Sequence, residues 1–194
     1  DGFELFNIRT YVLLGDGCMQ EGVASEAASM AGHLGLKNLI AFYDDNHITI
    51  DGDTNCAFTE DVGKRFESYN WNVLTVKNGD EDLSALWDAI VKAQQEKERP
   101  TLVCVQTTIG FGSLNQGKAS VHGAPLKEDD IAQLKTKFGF NPEEKFVVPQ
   151  DVREKWQDGT VASLSLLPLA AVSPDSPVPT AGAGTRALAG RGGG

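Results

Sequence analysis

The chain has few cysteines, no long apolar run and no surplus of positive charge, and each shortage removes a class of function. Its three cysteines, Cys18, Cys56 and Cys104, are odd in number and widely spaced. With no CxxC pair they argue against a disulfide framework and against a zinc site, and they point to a reducing compartment, with the cytoplasm as the expected location. No apolar stretch approaches the ~20 residues of a membrane-spanning helix. Acidic residues outnumber basic ones 27 to 17, for a formal net charge of −10. Neither nucleic acid nor an anionic membrane is therefore an expected partner, and a phosphorylated ligand would need local donors or a bridging cation. No methionine or signal-like stretch opens the chain at Asp1, which reads as a soluble piece of something longer.

The 194 residues suffice for one domain with its own core and fall short of a multidomain enzyme. The composition changes abruptly near residue 157. Val161 to Gly194 holds four prolines, six glycines, seven alanines and no aromatic, with Asp175, Arg186 and Arg191 its charged residues. Such a segment cannot build a core, so residues 157–194 are expected to form a low-complexity, disordered tail beyond a folded unit of residues 1–156.

Within the folded unit, short apolar runs rich in β-formers alternate with helical patterns, the signature of βαβ units on a parallel sheet. Strands are expected at Thr10–Leu14, Leu39–Tyr43, Asn72–Val76 and Thr101–Thr107, and helices at Glu21–Leu36, Glu60–Tyr69, Asp82–Lys97 and Lys127–Phe138. A Gly-rich loop runs from Gly110 to Gly123. The expected fold class is α/β, a doubly wound parallel sheet whose ligand sits at the carboxyl ends of the strands.

Gly15-Asp16-Gly17 lies between the first strand and the first helix, where an α/β fold offers backbone N–H groups to a phosphate. The dinucleotide fingerprint needs a further glycine where this chain has Gln20, and it would not set a carboxylate beside a bare pyrophosphate. A carboxylate and a diphosphate coexist when a cation lies between them. Mg²⁺ or Ca²⁺ takes oxygen ligands from one or two carboxylates, amides or carbonyls together with phosphate oxygens. One βαβ crossover later, Asp44-Asp45-Asn46 ends the neighbouring strand. There Asn46 offers an amide oxygen, and the Ile48 carbonyl follows two residues on.

A Gly-Asp-Gly followed about thirty residues later by an asparagine is the thiamine-diphosphate-binding motif, and its surroundings are more specific. The run Leu14 to Ala27 (LGDGCMQEGVASEA), then Ala31-Gly32-His33-Leu34, then Asp45 to Gly52 (DNHITIDG), resembles transketolase, the fungal enzymes especially. Thr107 to Ser113 (TTIGFGS), Ser120 to Leu126 (SVHGAPL) and Lys137 to Pro142 (KFGFNP) resemble the same family in the same order. The resemblance covers roughly residues 1–156 and implies an incomplete thiamine-diphosphate-binding (PP) domain.

Its functional implication is transfer of a two-carbon ketol unit from a ketose phosphate such as xylulose 5-phosphate to an aldose phosphate such as ribose 5-phosphate, in the pentose phosphate pathway. The cofactors would be thiamine diphosphate, which acts as the electron sink, and Mg²⁺, Ca²⁺ or Mn²⁺; the intact enzyme would be a homodimer. By motif, Asp16, Asn46 and the Ile48 carbonyl would hold the metal. Gly15 and Gly17 would lie at the diphosphate, and Ile50 and Ile109 would line the cofactor. Glu21 would sit at the dimer interface and communicate between active sites, with Glu26 its neighbour, while His122 would contact diphosphate or substrate.

Blander readings stand beside these. Asp16 alone would be a turn residue, Glu21 and Glu26 solvated acids of a first helical turn. The alanines Ala24, Ala27, Ala28 and Ala31 would be simple helix formers, although so many small residues fit a close approach to another helix, a dimer contact included. Cys18 reads as a small packing residue. His33 and His47 receive no role. Two alternatives stay open for the whole chain. One is another thiamine-diphosphate enzyme, such as a deoxyxylulose-phosphate synthase or a dehydrogenase subunit. The other is a truncated, non-catalytic fragment that keeps the cofactor-binding fold, since the residues that follow this domain in transketolases have no counterpart here.

Overall fold

A computed structural model describes residues 8–165. The chain divides into two units, one ending at Glu144 and one beginning at Lys145. The first contains a four-stranded, all-parallel sheet in the order β1-β2-β6-β5, where β1 is Thr10–Gly15, β2 Leu39–Asp45, β5 Asn72–Val76 and β6 Thr101–Gln106. A two-stranded antiparallel hairpin, β3 (Ile48–Thr49) and β4 (Gly52–Asp53), projects after β2.

The crossovers explain why helices cover both faces. From β1 the chain passes through α1 (Asp16–Met19) and α2 (Gly22–His33) to the adjacent β2. It then crosses through α3 (Val62–Ser68) to the far edge, β5, and returns through α4 (Leu83–Gln95) to fill the gap with β6. Right-handed crossovers require that reversal of direction to place α4 on the face opposite α2 and α3. The side chains obey. Ala28, Ala31, Val62 and Phe66 pack with Ala41, Tyr43, Leu102 and Cys104 in one cluster, while Ala89 and Ala93 pack with Ile40, Val103 and Val105 in the other. Alternate residues of β2 and β6 thus go to opposite faces, as the period of a pleated strand requires. Leu102 and Val103 are fully buried, each stabilising the fold by about 1.5–3 kcal/mol.

Small residues on α2 have a specific use. A Cβ placed on Gly32 would lie 1.7 Å from the Tyr69 carbonyl oxygen, so the helix touches the backbone at the end of α3. Trp71 follows that contact and donates its indole N–H to the Ala28 carbonyl (2.8 Å) from within the cluster. Ala28 and Ala31 are buried inside this chain, which accounts for them without a dimer contact; Ala27, Val23 and Met30 remain exposed.

The Gly-rich loop after β6 is held at two points near its start. Both Asp80 carboxylate oxygens accept the Thr108 N–H (3.2 and 2.9 Å). Farther along, the buried Asp130 of α5 (Glu128–Lys137) accepts from Ser113 Oγ (2.6 Å), Leu114 N (3.0 Å) and Gln133 Nε2 (2.8 Å). Between these anchors Gly112, at φ +88°, leaves 2.9 Å between its notional Cβ and Leu134 Cδ2, so backbone conformation and space both demand glycine. The Ser113 hydroxyl, above all, holds the Asp130 carboxyl below its usual range.

Three differences from the expected elements have local causes. The Gly-Asp-Gly is no open turn, because Asp16 starts the helical turn α1, and a break at Gln20-Glu21 precedes α2. The loop after β2 contains the β3–β4 hairpin, turned at Ile50-Asp51, with Gly52 at the start of β4 at φ +137°. In the second unit, α6 (Gln150–Ser165) runs through the expected start of the tail at residue 157. The rest of the expected disordered segment, 166–194, lies outside the described residues.

Two measurements follow. Gly32→Ala should lower the unfolding free energy by about 1–3 kcal/mol or more in urea titrations, because the added methyl has no space. Asp130→Asn should destabilise the chain at neutral pH. Since the native carboxyl is depressed, that difference should be complete above the unfolded carboxylate range of roughly pH 4 and should vanish as pH falls through the lower native value.

Candidate cation and diphosphate site

Parallel pairing of β1 with β2 sets Gly15 opposite Asp44, so the next residues of both strands emerge side by side. Asp16 is 3% exposed. Its Oδ1 accepts the hydroxyl of Tyr43 at 2.6 Å, and its Oδ2 accepts the backbone N–H of His47 at 3.0 Å. The second bond ties Asp16 to the loop that carries Asn46 and Ile48. In that loop Asn46 Oδ1 accepts the Ile48 N–H (3.0 Å), and Asn46 Nδ2 donates to Asp44 (3.1 Å). Asp44 also accepts the Thr107 hydroxyl at the end of β6. His47 adopts φ +60°, a left-handed conformation that costs a non-glycine residue about 1–3 kcal/mol. The turn is therefore imposed by its surroundings, and the bond to Asp16 is one of the interactions that hold it.

The donor set suits a hard cation. Among the described residues no lysine or arginine forms an ion pair with Asp16, although the carboxylate is buried with Asp45 close by. Two neutral hydrogen bonds leave each Asp16 oxygen a free lone pair. Asp45 adds a second carboxylate and His47 an imidazole nitrogen: His47 Nδ1 lies 3.4 Å from Asp45 Oδ1, and one ligand-capable atom from each of Asp16, Asp45 and His47 falls within 4.8 Å of the others. Burial raises the Asp45 carboxyl above its ordinary range and drives the Tyr43 phenol far above its own.

Room for an anion lies beside the carboxylate. Gly15 is extended (φ −119°, ψ −179°), a conformation open to any residue. A Cβ at Gly15 or Gly17 would meet no atom within 4 Å. Glycine at these positions keeps space in front of the strand end clear. The Gly15 N–H meanwhile donates to Cys18 Sγ at 3.5 Å, a weak acceptor that a phosphate oxygen would outcompete. Cys18 is exposed, and so is not the buried packing residue its type led us to expect.

The other sequence candidates stand apart from this hydrogen-bonded group. Glu21 is the exposed N-cap residue of α2, and Glu26 is exposed on the same helix. Ile50, at the hairpin tip, is 72% exposed. Ile109 is half-buried just after β6, its carbonyl accepting from Gly117 N (2.8 Å), and His122 is exposed beyond the short turn Ala119–Val121. A cavity of about 400 Å³ opens beside Asp16, lined among others by Tyr43, Asp45, His47, Asp61 and Cys104, and not by Glu21, Glu26, Ile50, Ile109 or His122. From the sequence, Tyr43 and Asp45 had no site role beyond ending the strand, and His47 had none. Period-two alternation along β2 could have pointed to Tyr43, which shares its face with Ala41.

Residues 1–165 match the family described as transketolase, thiamine diphosphate binding domain. The chain belongs to the transketolase family. It is 63% identical over 159 residues to a transketolase of Kluyveromyces lactis, covering 82% of this chain and 23% of that protein. It is 61% identical over 156 residues to transketolase 1 of Saccharomyces cerevisiae, covering 80% and 23%. Among solved structures, a Pichia stipitis transketolase in complex with sedoheptulose-7-phosphate superimposes with a TM-score of 0.77 at 56% identity, over 81% of this chain and 23% of that one. The transketolase of Leishmania mexicana gives 0.78 at 46% identity, over 81% and 24%. The chain thus spans under a quarter of the length of the curated transketolases it matches, and it contains a thiamine diphosphate-binding domain built on a parallel sheet with flanking helices. No described helix is long and apolar enough to cross a membrane.

The three thiols of this transketolase domain should react unequally. Burial pushes the Cys104 thiol up to about 12, whereas Cys18 and Cys56 are exposed. Iodoacetamide at about pH 8.5, near the free-thiol pKa, should label Cys18 and Cys56 and spare Cys104 until denaturant is added, as read by peptide mass spectrometry.

Proposed function

We propose that this chain supplies the cation- and diphosphate-holding part of a transketolase, an enzyme that moves a two-carbon ketol unit from a ketose phosphate to an aldose phosphate in the pentose phosphate pathway. The observation that carries the reading is the buried carboxylate of Asp16, without a lysine or arginine partner among the described residues and joined through His47 N–H to the loop of Asn46 and Ile48. Asp16, the Asn46 amide oxygen and the Ile48 carbonyl would ligate Mg²⁺, Ca²⁺ or Mn²⁺. The Gly15 and Gly17 backbone would lie against the diphosphate. Bound thiamine diphosphate would supply the electron sink for carbon–carbon cleavage.

The remaining residues have subsidiary parts in this reading. Ile50 and Ile109 would give the cofactor apolar contacts once the hairpin tip and the loop after β6 close around it. His122, at the end of that anchored loop, would hydrogen-bond diphosphate or substrate. Glu21, at the break between α1 and α2, would face a second subunit. The exposed Val23 and Met30 on the same helix support a homodimer through α2. The acidic balance and reduced cysteines support a cytoplasmic location with no nucleic-acid or membrane partner.

Ketol transfer needs more than this chain holds, so the 194 residues alone should bind Mg²⁺ with thiamine diphosphate and turn nothing over. Isothermal calorimetry should show binding that requires both components and that Asp16→Ala abolishes. A chimera with residues 1–156 in place of the matching stretch of the Kluyveromyces lactis transketolase should regain transfer from xylulose 5-phosphate to ribose 5-phosphate. Equal binding by Asp16→Ala would sink the cation assignment. Binding together with an inactive chimera would favour the non-catalytic alternative.

A further inference from the structure

Tyr43 presents a hydroxyl for which packing has no use. Its ring lies in the cluster formed by Met19, Ala41, Leu102 and Cys104, 3% exposed, where phenylalanine would fill the same volume. β2 is an interior strand, and its register sets Tyr43 level with Leu14 of β1 and Cys104 of β6. The side chain therefore reaches from beneath toward the residue just beyond β1. That residue is Asp16, and the phenolic oxygen stops 2.6 Å from its Oδ1.

The geometry fixes the carboxylate at two points. Tyr43 O–H holds Oδ1 and His47 N–H holds Oδ2 (3.0 Å), so rotation of the carboxylate plane would break both bonds. Neither donor carries charge. The carboxylate is thus oriented without being neutralised, which leaves its charge and one lone pair per oxygen available to a ligand. An ammonium or guanidinium in the place of Tyr43 would orient Asp16 equally well and remove the attraction for a cation.

We propose that Tyr43 is a positioning residue that aims Asp16 at the divalent cation bridging the diphosphate. This rests on the assignment of Asp16 as a cation ligand. Partners one step removed from a metal ligand commonly set affinity by 10- to 100-fold, and a hydroxyl with no packing role is well suited to that work. Tyr43 touches neither substrate nor cofactor in this arrangement. Its effect passes through Asp16.

The test uses the 194-residue chain and Mg²⁺ titrated calorimetrically in the presence of excess thiamine diphosphate. Tyr43→Phe should raise the Mg²⁺ dissociation constant by about 10- to 100-fold and leave the ligand-free fold, followed by the fluorescence of the buried Trp71, unchanged. Phe58→Leu, a packing change in the wall of the same cavity, should keep wild-type affinity. Tyr43→Phe with wild-type affinity, or an equal loss in Phe58→Leu, overturns the proposal. No Mg²⁺-dependent binding by the wild type overturns instead the ligand assignment beneath it, so the two failures are told apart. A second measurement needs no substitution at Tyr43: with ¹³C-labelled tyrosine, the Tyr43 ring signal should shift when Mg²⁺ and thiamine diphosphate are added, and should stay still in Asp16→Ala. A Tyr43 signal that ignores the ligand contradicts the proposal.

Discussion

Everything at the strand ends depends on one arrangement, a carboxylate buried without a lysine or arginine partner among the described residues. Removing an ionised group from water costs several kcal/mol even after relaxation, and Asp16 at 3% exposure receives in return, among the described residues, hydrogen bonds from a phenol and a backbone amide. A fold that existed for stability alone would place a lysine or arginine there, or an apolar residue. The acidic neighbourhood of Asp45 deepens the deficit, and burial of that second carboxyl raises its proton affinity. A divalent cation carried in together with a diphosphate would resolve both, in keeping with the proposed function.

The scaffold explains how that deficit is maintained. Two parallel strands deliver Asp16 and the Asn46–Ile48 loop to one edge of the sheet. α2 and α3 seal the face on which Tyr43 lies, with Gly32 admitting the Tyr69 backbone and Trp71 bonded to Ala28. Arg65 of α3 reaches across with NH2 on the Met19 carbonyl (2.9 Å) and NH1 on Ser25 Oγ (3.0 Å), bracing the corner between α1 and α2. These contacts concentrate beneath the site. The parts above it, the β3–β4 hairpin and the loop anchored by Asp80 and Asp130, carry Ile50, Ile109 and His122 on segments whose tips reach solvent.

Much of this was legible from residue order. The runs Thr10–Leu14, Leu39–Tyr43, Asn72–Val76 and Thr101–Thr107 became β1, β2, β5 and β6 within one or two residues, because strands of a parallel sheet are apolar and rich in β-branched residues, a pattern that β1 keeps although Leu13 is exposed. Asp16 and the Asn46 loop were readable because their residue types make chemical sense together. What stayed hidden required three dimensions. A single turn such as α1 has too few residues to show a period. The β3–β4 hairpin has two residues per strand, too short for alternation to register. Tyr43 looked like any aromatic in a buried strand until the register placed its hydroxyl under Asp16. In α6 the composition changes near residue 157, yet nothing in Gln150–Ser165 breaks a helix outright except the tolerated Gly159.

Asp16 and the Asn46–Ile48 loop together form the proposed cation site. Anomalous diffraction from crystals of the chain grown with Mn²⁺ and thiamine diphosphate tests it most directly. The predicted result is one peak within about 2.0–2.3 Å of an Asp16 carboxylate oxygen, the Asn46 amide oxygen and the Ile48 carbonyl, a distance set by hard-cation coordination to oxygen. A peak held by Asp45 and the His47 imidazole with Asn46 uninvolved, or thiamine diphosphate bound with no metal between it and Asp16, would contradict it.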